Sequence, residues 1–147
     1  DPFYDDAAPL DAPLIVHGDG AAITMNVPED AIPRDGVLGV TFTAPGDDYF
    51  IECNFDRRGF TSGCNGFDRV AAPLGSVDGT ETANDDGTTS LSLPADLFQL
   101  DADGLWIVIG DMTIPVERVD MSTFGPDGSF AHATLDLDEF IRAISIN

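Results

Sequence analysis

The sequence predicts an all-β fold: an antiparallel β-sandwich of jelly-roll-like form with a short C-terminal helix. Three observations predict it. Short apolar runs recur along the chain. Between them lie stretches rich in Gly, Asp, Asn and Pro, residues that preset a turn or tolerate positive φ. Helical periodicity is scarce, and several short strands with almost no helix suit two packed sheets. A chain of 147 residues fits one domain. It divides into an extended N-terminal arm, residues 1–14, and a single sandwich domain, residues 15–147.

The arm reads DPFYDDAAPLDAPL. Its three prolines cannot donate to a sheet ladder, which predicts an extended segment that docks along a sheet edge of its own domain or of a neighbour. Candidate strands follow at 22–27, 37–43, 49–53, 88–93, 105–109, 112–119 and 129–137. The separators are HGDG, PEDAIPRDG, APGDD, NDDGT, DADG and GPDG. Leu105 to Ile109 shows no alternation, which predicts a central strand buried on both faces. Met112, Ile114 and Val116 alternate with Thr113, Pro115 and Glu117, giving one wet face, and Pro115 marks an edge or a bulge. Ala131, Ala133, Leu135 and Leu137 alternate with Phe130, His132, Thr134 and Asp136 in the same way. Two short helices are expected. One spans 92–98, with Ser92 as cap and Pro94 early in the first turn. The other is C-terminal, capped by Asp138 and burying Phe140, Ile141 and Ile144.

Charge bounds the function. Lysine is absent, six arginines face 27 acids, and 22 of those acids are Asp, for a net charge of −21. Such self-repulsion is relieved by salt or bound cations, which points to saline surroundings, a halophilic source or calcium loading. It also excludes nucleic acid and anionic membrane as partners, since their phosphates would be repelled. No apolar run is long enough to cross a bilayer. The start at Asp1-Pro2, without Met, fits a mature processed chain or a trimmed one.

Cys53 and Cys64 lack CxxC spacing and a nearby His, which argues against zinc and against a thioredoxin-type motif. They read as a disulfide, and a disulfide implies an extracellular, periplasmic or cell-surface location.

Nothing in the chain marks an enzyme. His17 lies in a turn and His132 on a strand, and no G-x-S-x-G elbow is present. With so many aspartates, some carboxylate pair always meets the spacing a glycosidase needs, so that signal is empty. Calcium is the one cofactor left open. It takes six to eight oxygens from a wrapping loop, and the candidate ligands are Asp78, Asp85 and Asp86 in VDGTETANDDG and Asp101 and Asp103 in LDADG. None completes an EF-hand loop, and each fragment is equally a solvated hairpin turn.

The stretch CNFDRRGFTSGCNGFDR, residues 53–69, carries three of the six arginines and a net charge of +1. Two readings stand. Arg57, Arg58 and Arg69 can pair with acids of their own chain. Alternatively, Phe55, Arg57, Arg58, Phe60 and Arg69 form a partner-binding surface, because Arg and aromatic rings are enriched at interfaces and a stapled loop costs less to order. The leading functional expectation is a non-enzymatic secreted or cell-surface structural or interaction subunit, assembling with itself or with another surface component. The alternative is a calcium-dependent glycan- or ligand-binding β-sandwich module.

Overall fold

The computed structural model describes residues 8–10 and 14–145. The sequence-predicted arm therefore lies partly outside the described residues, at 1–7 and 11–13. The elements in order are β1 (Ala8–Pro9), β2 (Ile15–Gly18), β3 (Ala22–Pro28), β4 (Val37–Thr43), β5 (Tyr49–Asp56), β6 (Gly63–Asp68), β7 (Pro73–Asp78), β8 (Thr80–Ala83), β9 (Thr88–Pro94), β10 (Phe98–Asp101), β11 (Gly104–Ile109), β12 (Met112–Pro115), β13 (Arg118–Phe124), β14 (Phe130–Leu135) and α1 (Leu137–Ser145).

Three sheets form. The largest has seven strands in the order β1-β14-β13-β4-β5-β6-β7, a second has the order β2-β3-β9-β8, and a third has β10-β11-β12. All pairings are antiparallel except that of β1 with β14, where Ala8 and Pro9 run parallel to Ala131 and His132. The Leu10 N–H extends this contact by donating to the His132 carbonyl at 3.2 Å. The fold is mostly β and sandwich-like, as the sequence predicts.

Strand alternation builds the core. Leu38, Val40 and Phe42 on β4 and Ile51, Cys53 and Phe55 on β5 point inward. They meet Ile23, Met25 and Val27 of β3 and Leu91 and Leu93 of β9 in one continuous cluster. Phe42, Phe98 and Phe140 close its helical end, with Phe42–Phe98 and Phe42–Phe140 ring centroids 5.7 and 5.3 Å apart. The β11–β12 turn lies against β6–β7, and Gly110 makes that approach possible. Its φ is 58°, and a Cβ there would fall 2.3 Å from the Leu74 carbonyl oxygen.

Several local expectations need correction. Residues 92–98 do not form a helix: β9 runs to Pro94, and only a 3-10 turn follows at Ala95–Leu97. Thr89, Leu91 and Leu93 face the core in alternation, and that period-2 burial outweighs the Pro signal. The predicted strand 112–119 is two strands, because the chain leaves the small sheet after Pro115 and enters the large one at Arg118. β11 is central in its own sheet, yet Trp106 and Val108 are only half-buried, so it is not covered on both faces. The C-terminal helix is present, but Asp136 caps it, accepting from the Glu139 N–H at 3.0 Å, and Phe140 and Ile144 are its buried residues. Among the described residues, no helix is long and apolar enough to cross a membrane.

Candidate functional site

The predicted Cys pair forms a disulfide that is itself part of the core. Cys53 and Cys64 sit opposite each other on β5 and β6 and are bonded there. The hairpin above them carries the cluster of positive charge, and the structure sends each guanidinium in a different direction.

Arg57 turns inward and joins the two main layers. Its Nη2 donates to the Thr89 hydroxyl on β9 at 3.2 Å, and its Nη1 lies 3.9 Å from Glu81 Oε1 on β8, with Glu29 a further acid at 4.0 Å. Ser62 donates to the other Glu81 oxygen, whereas Glu81 Oε1 is buried without a hydrogen bond. Arg69 turns the other way and pairs with Asp48 and the Gly46 carbonyl. Arg58 is held by Asp56: its backbone N–H donates at 2.8 Å, its Nε at 3.1 Å and its Nη2 at 2.6 Å. The Arg58 guanidinium hydrogen bond holds the Asp56 carboxyl below the usual carboxylate range. The same guanidinium lies 5.2 Å from the Phe60 ring centroid, and that ring is 68% exposed. Phe55, by contrast, is fully buried and offers a partner no surface. Local ion pairing therefore accounts for all three arginines; Arg58, although paired with Asp56, stays at the surface with the exposed Phe60 ring beside it.

The five acids proposed as calcium ligands do not come together as a cluster. Asp86 accepts from the backbone N–H and hydroxyl of Thr88, and Asp101 accepts from the Asp103 N–H at 2.8 Å, so both shape hairpin turns. Asp78 ends β7, opposite Gly63, and Asp85 lies in the β8–β9 turn. Among the described residues, no three His, Cys, Asp or Glu side chains are placed to hold a metal ion.

A different site emerges on the outer face of the large sheet. Register places its residues in rows across the strands. One row runs Thr134, Asp120, Thr41, Glu52, Asn65, and the next runs His132, Ser122, Gly39, Asn54, Gly63. A third begins Phe130, Phe124, Val37, Asp56. The β14 side of this face is tightly bonded: Asp120, 1% exposed, accepts from Arg118 Nε at 2.7 Å and Thr134 Oγ1 at 2.9 Å, and meets His132 Nε2 at 2.9 Å.

Beside that network the face opens into a groove of about 360 Å³, lined by Val37, Gly39, Thr41, Glu52, Asn54, Arg58, Ser122 and Phe124. The Asn54 amide lies across Gly39 on the floor, in space that only a glycine leaves free, since a Cβ there would fall 2.8 Å from Asn54 Oδ1. The side-chain polar groups of Thr41, Glu52, Asn54 and Ser122 find no hydrogen-bond partner among the described residues. Partial burial raises the Glu52 carboxyl above its ordinary value, although the side chain still meets solvent. At one end Phe124 is half-exposed and stacks on Phe130, with centroids 4.7 Å apart and planes 13° from parallel. At the other end stands the Arg58–Phe60 pair.

Of the sequence-predicted contact residues, Arg58 alone lines this groove. The sequence reasoning missed Thr41, Glu52, Asn54, Ser122 and Phe124. One signal was available in Gly39, a glycine inside the strand-forming run VLGVTFT, since an interior strand glycine often marks a close approach of another group. No family model, curated protein or solved structure matches this chain.

Proposed function

We propose that this chain is a non-enzymatic interaction domain of a secreted or cell-surface protein, engaging its partner through the outer face of the larger sheet. One observation carries the reading: four neighbouring polar side chains without a hydrogen-bond partner among the described residues surround Gly39. Their polar atoms are reachable from solvent and uncommitted within the fold, and a concave site that gathers several such groups beside an aromatic ring can bond an external partner. The disulfide supports an oxidising compartment. The charge of −21 supports saline surroundings and a partner that is not an anionic polymer.

The partner is a second copy or another surface component, and sizing separates the two. The experiment is molar mass by light scattering behind a sizing column, at several protein and salt concentrations, for the native chain and for an Arg58→Ser/Phe60→Ser variant. A mass above 15.6 kDa that survives high salt, and that the variant loses without unfolding, identifies self-assembly at this face. A monomer under every condition rules out self-assembly and leaves an external ligand. A variant that unfolds assigns Arg58 and Phe60 to structure rather than to contact.

A further inference from the structure

The groove's chemistry narrows the ligand. We propose that it binds a neutral saccharide without calcium, the Phe124 ring stacking on an apolar sugar face and Thr41, Glu52, Asn54 and Ser122 bonding its hydroxyls. This rests on the interaction-face reading above and names the ligand for it.

A sugar hydroxyl both donates and accepts, and one ring displays several of them beside a C–H face. The groove matches that mixture: Glu52 accepts, Asn54 does both from one amide, and Thr41 and Ser122 each offer a hydroxyl. Thr41 pairs with Glu52, and Gly39 with Asn54 on one side and Ser122 on the other. Directly opposed residues lie about 4.5–5.5 Å apart at Cβ, and next-but-one residues on a strand about 7 Å apart. The polar patch is therefore about the size of one sugar ring, and the volume of about 360 Å³ lies at the small end of ligand sites.

The platform is also rigid. Phe130 backs Phe124 in a near-parallel stack, and the polar residues stand on three adjacent strands, β5, β4 and β13. A platform fixed before binding has little ordering cost to repay.

Other ligand classes fit the groove less well. An anionic ligand meets the field of a chain at −21. The same field favours a cation, but the groove offers it one carboxylate, Glu52, beside the Arg58 guanidinium, and an oligolysine control tests it. A purely apolar ligand would strip water from four polar groups and leave them unsatisfied, at roughly 1–3 kcal/mol each. What remains is an uncharged, hydroxyl-rich molecule with one apolar face.

The test uses the full chain, isotopically labelled, in saline buffer with EDTA. Amide shifts are followed by NMR against a panel of neutral disaccharides built from glucose, galactose and mannose. A uronic-acid disaccharide and an oligolysine peptide serve as controls. The expected result is saturable shifts confined to β4, β5 and β13, unchanged by calcium. Phe124→Ala and, separately, Gly39→Val, which displaces the Asn54 amide from the floor, should each weaken binding by roughly tenfold or more. Both positions lie on the outer face, away from the core, and unchanged melting curves verify the fold. No saturation with any neutral sugar, or binding that both variants leave intact, overturns the saccharide assignment. If oligolysine or a second copy of the chain shifts these same residues instead, the interaction face stands and the saccharide falls. Silence of the groove toward every probe, in a protein that remains monomeric, overturns both.

Discussion

Arg57→Met tests whether the charge-bearing hairpin is a structural clamp. The substitution keeps most of the apolar stem and removes the guanidinium. Breaking a fully buried ion pair costs about 3–5 kcal/mol, whereas an exposed pair contributes about 0–1 kcal/mol. Arg57 stands between these limits: its side chain keeps 30% of its accessible surface and that of Glu81 keeps 21%, at 3.9 Å. The hydrogen bond to the fully buried Thr89 is also lost. Glu81 Oε1, already without a hydrogen bond, loses its nearest cation. The expected destabilisation is about 1–2 kcal/mol, which for a chain of this length lowers Tm by roughly 3–6 °C. Thermal unfolding followed by circular dichroism reads it, with a double-mutant cycle against Glu81→Gln expected to show coupling of about 1 kcal/mol. Arg69→Met is the control, since the Arg69–Asp48 pair is exposed on both sides and should shift stability by less than about 1 kcal/mol. An Arg57→Met protein that melts with the native one and shows no coupling to Glu81 would refute the clamp and return Arg57 to the partner surface.

Three further outcomes follow from the same geometry. Replacing both Cys53 and Cys64 by Ala should cost about 3 kcal/mol in denaturant unfolding, the chain-entropy value for so short a loop, and a loss near zero would mean that the β5–β6 ladder alone closes the hairpin. Glu52 and Asp56 should respond to pH with opposite signs. Burial raises the Glu52 carboxyl, so the folded state disfavours its ionised form and the cost is present above its folded value; Glu52→Gln should stabilise at neutral pH, with the gain vanishing in acid. Asp56 is lowered by Arg58, so its stabilisation is present above the ordinary carboxylate value and is lost as pH falls through the folded one; Asp56→Asn should destabilise at neutral pH and converge on the native curve in acid. Denaturant curves from acid to neutral pH check both signs, and curves of the same sign for the two variants would contradict the assignment. Calcium titrated at constant ionic strength should raise Tm no more than magnesium does, because Asp86 and Asp101 already serve their own turns. A saturating, calcium-selective rise would revive the end-loop metal site.

How much was legible depends on how local the cause is. Val37–Thr43 reads correctly end to end because its alternation and flanking turns are written in adjacent residues. β6 and β7 were not legible. GCNGFD and PLGSVD are interrupted by glycine and show no clear alternation, and they are strands because neighbouring ladders accept their backbones. The Pro94 signal misled because a proline early in a helix and one at the end of a strand look alike until burial of Leu91 and Leu93 is known. Phe55 looked like a contact residue because it lies among charges, but the pleat points it to the core while sending its neighbours Asn54 and Asp56 outward.

By itself the sequence determined the β class, the Cys53–Cys64 bond, the C-terminal helix and a net charge of −21. These follow from composition, period and turn chemistry, each expressed within a few residues. Tertiary structure alone decided that Arg57 joins β5 to β8 and β9, and that Thr41, Glu52, Asn54 and Ser122 share one groove. The physical reason is strand order: β13 pairs with β4 although most of the chain runs between them, and only that register brings Ser122 and Phe124 beside Gly39 and Val37.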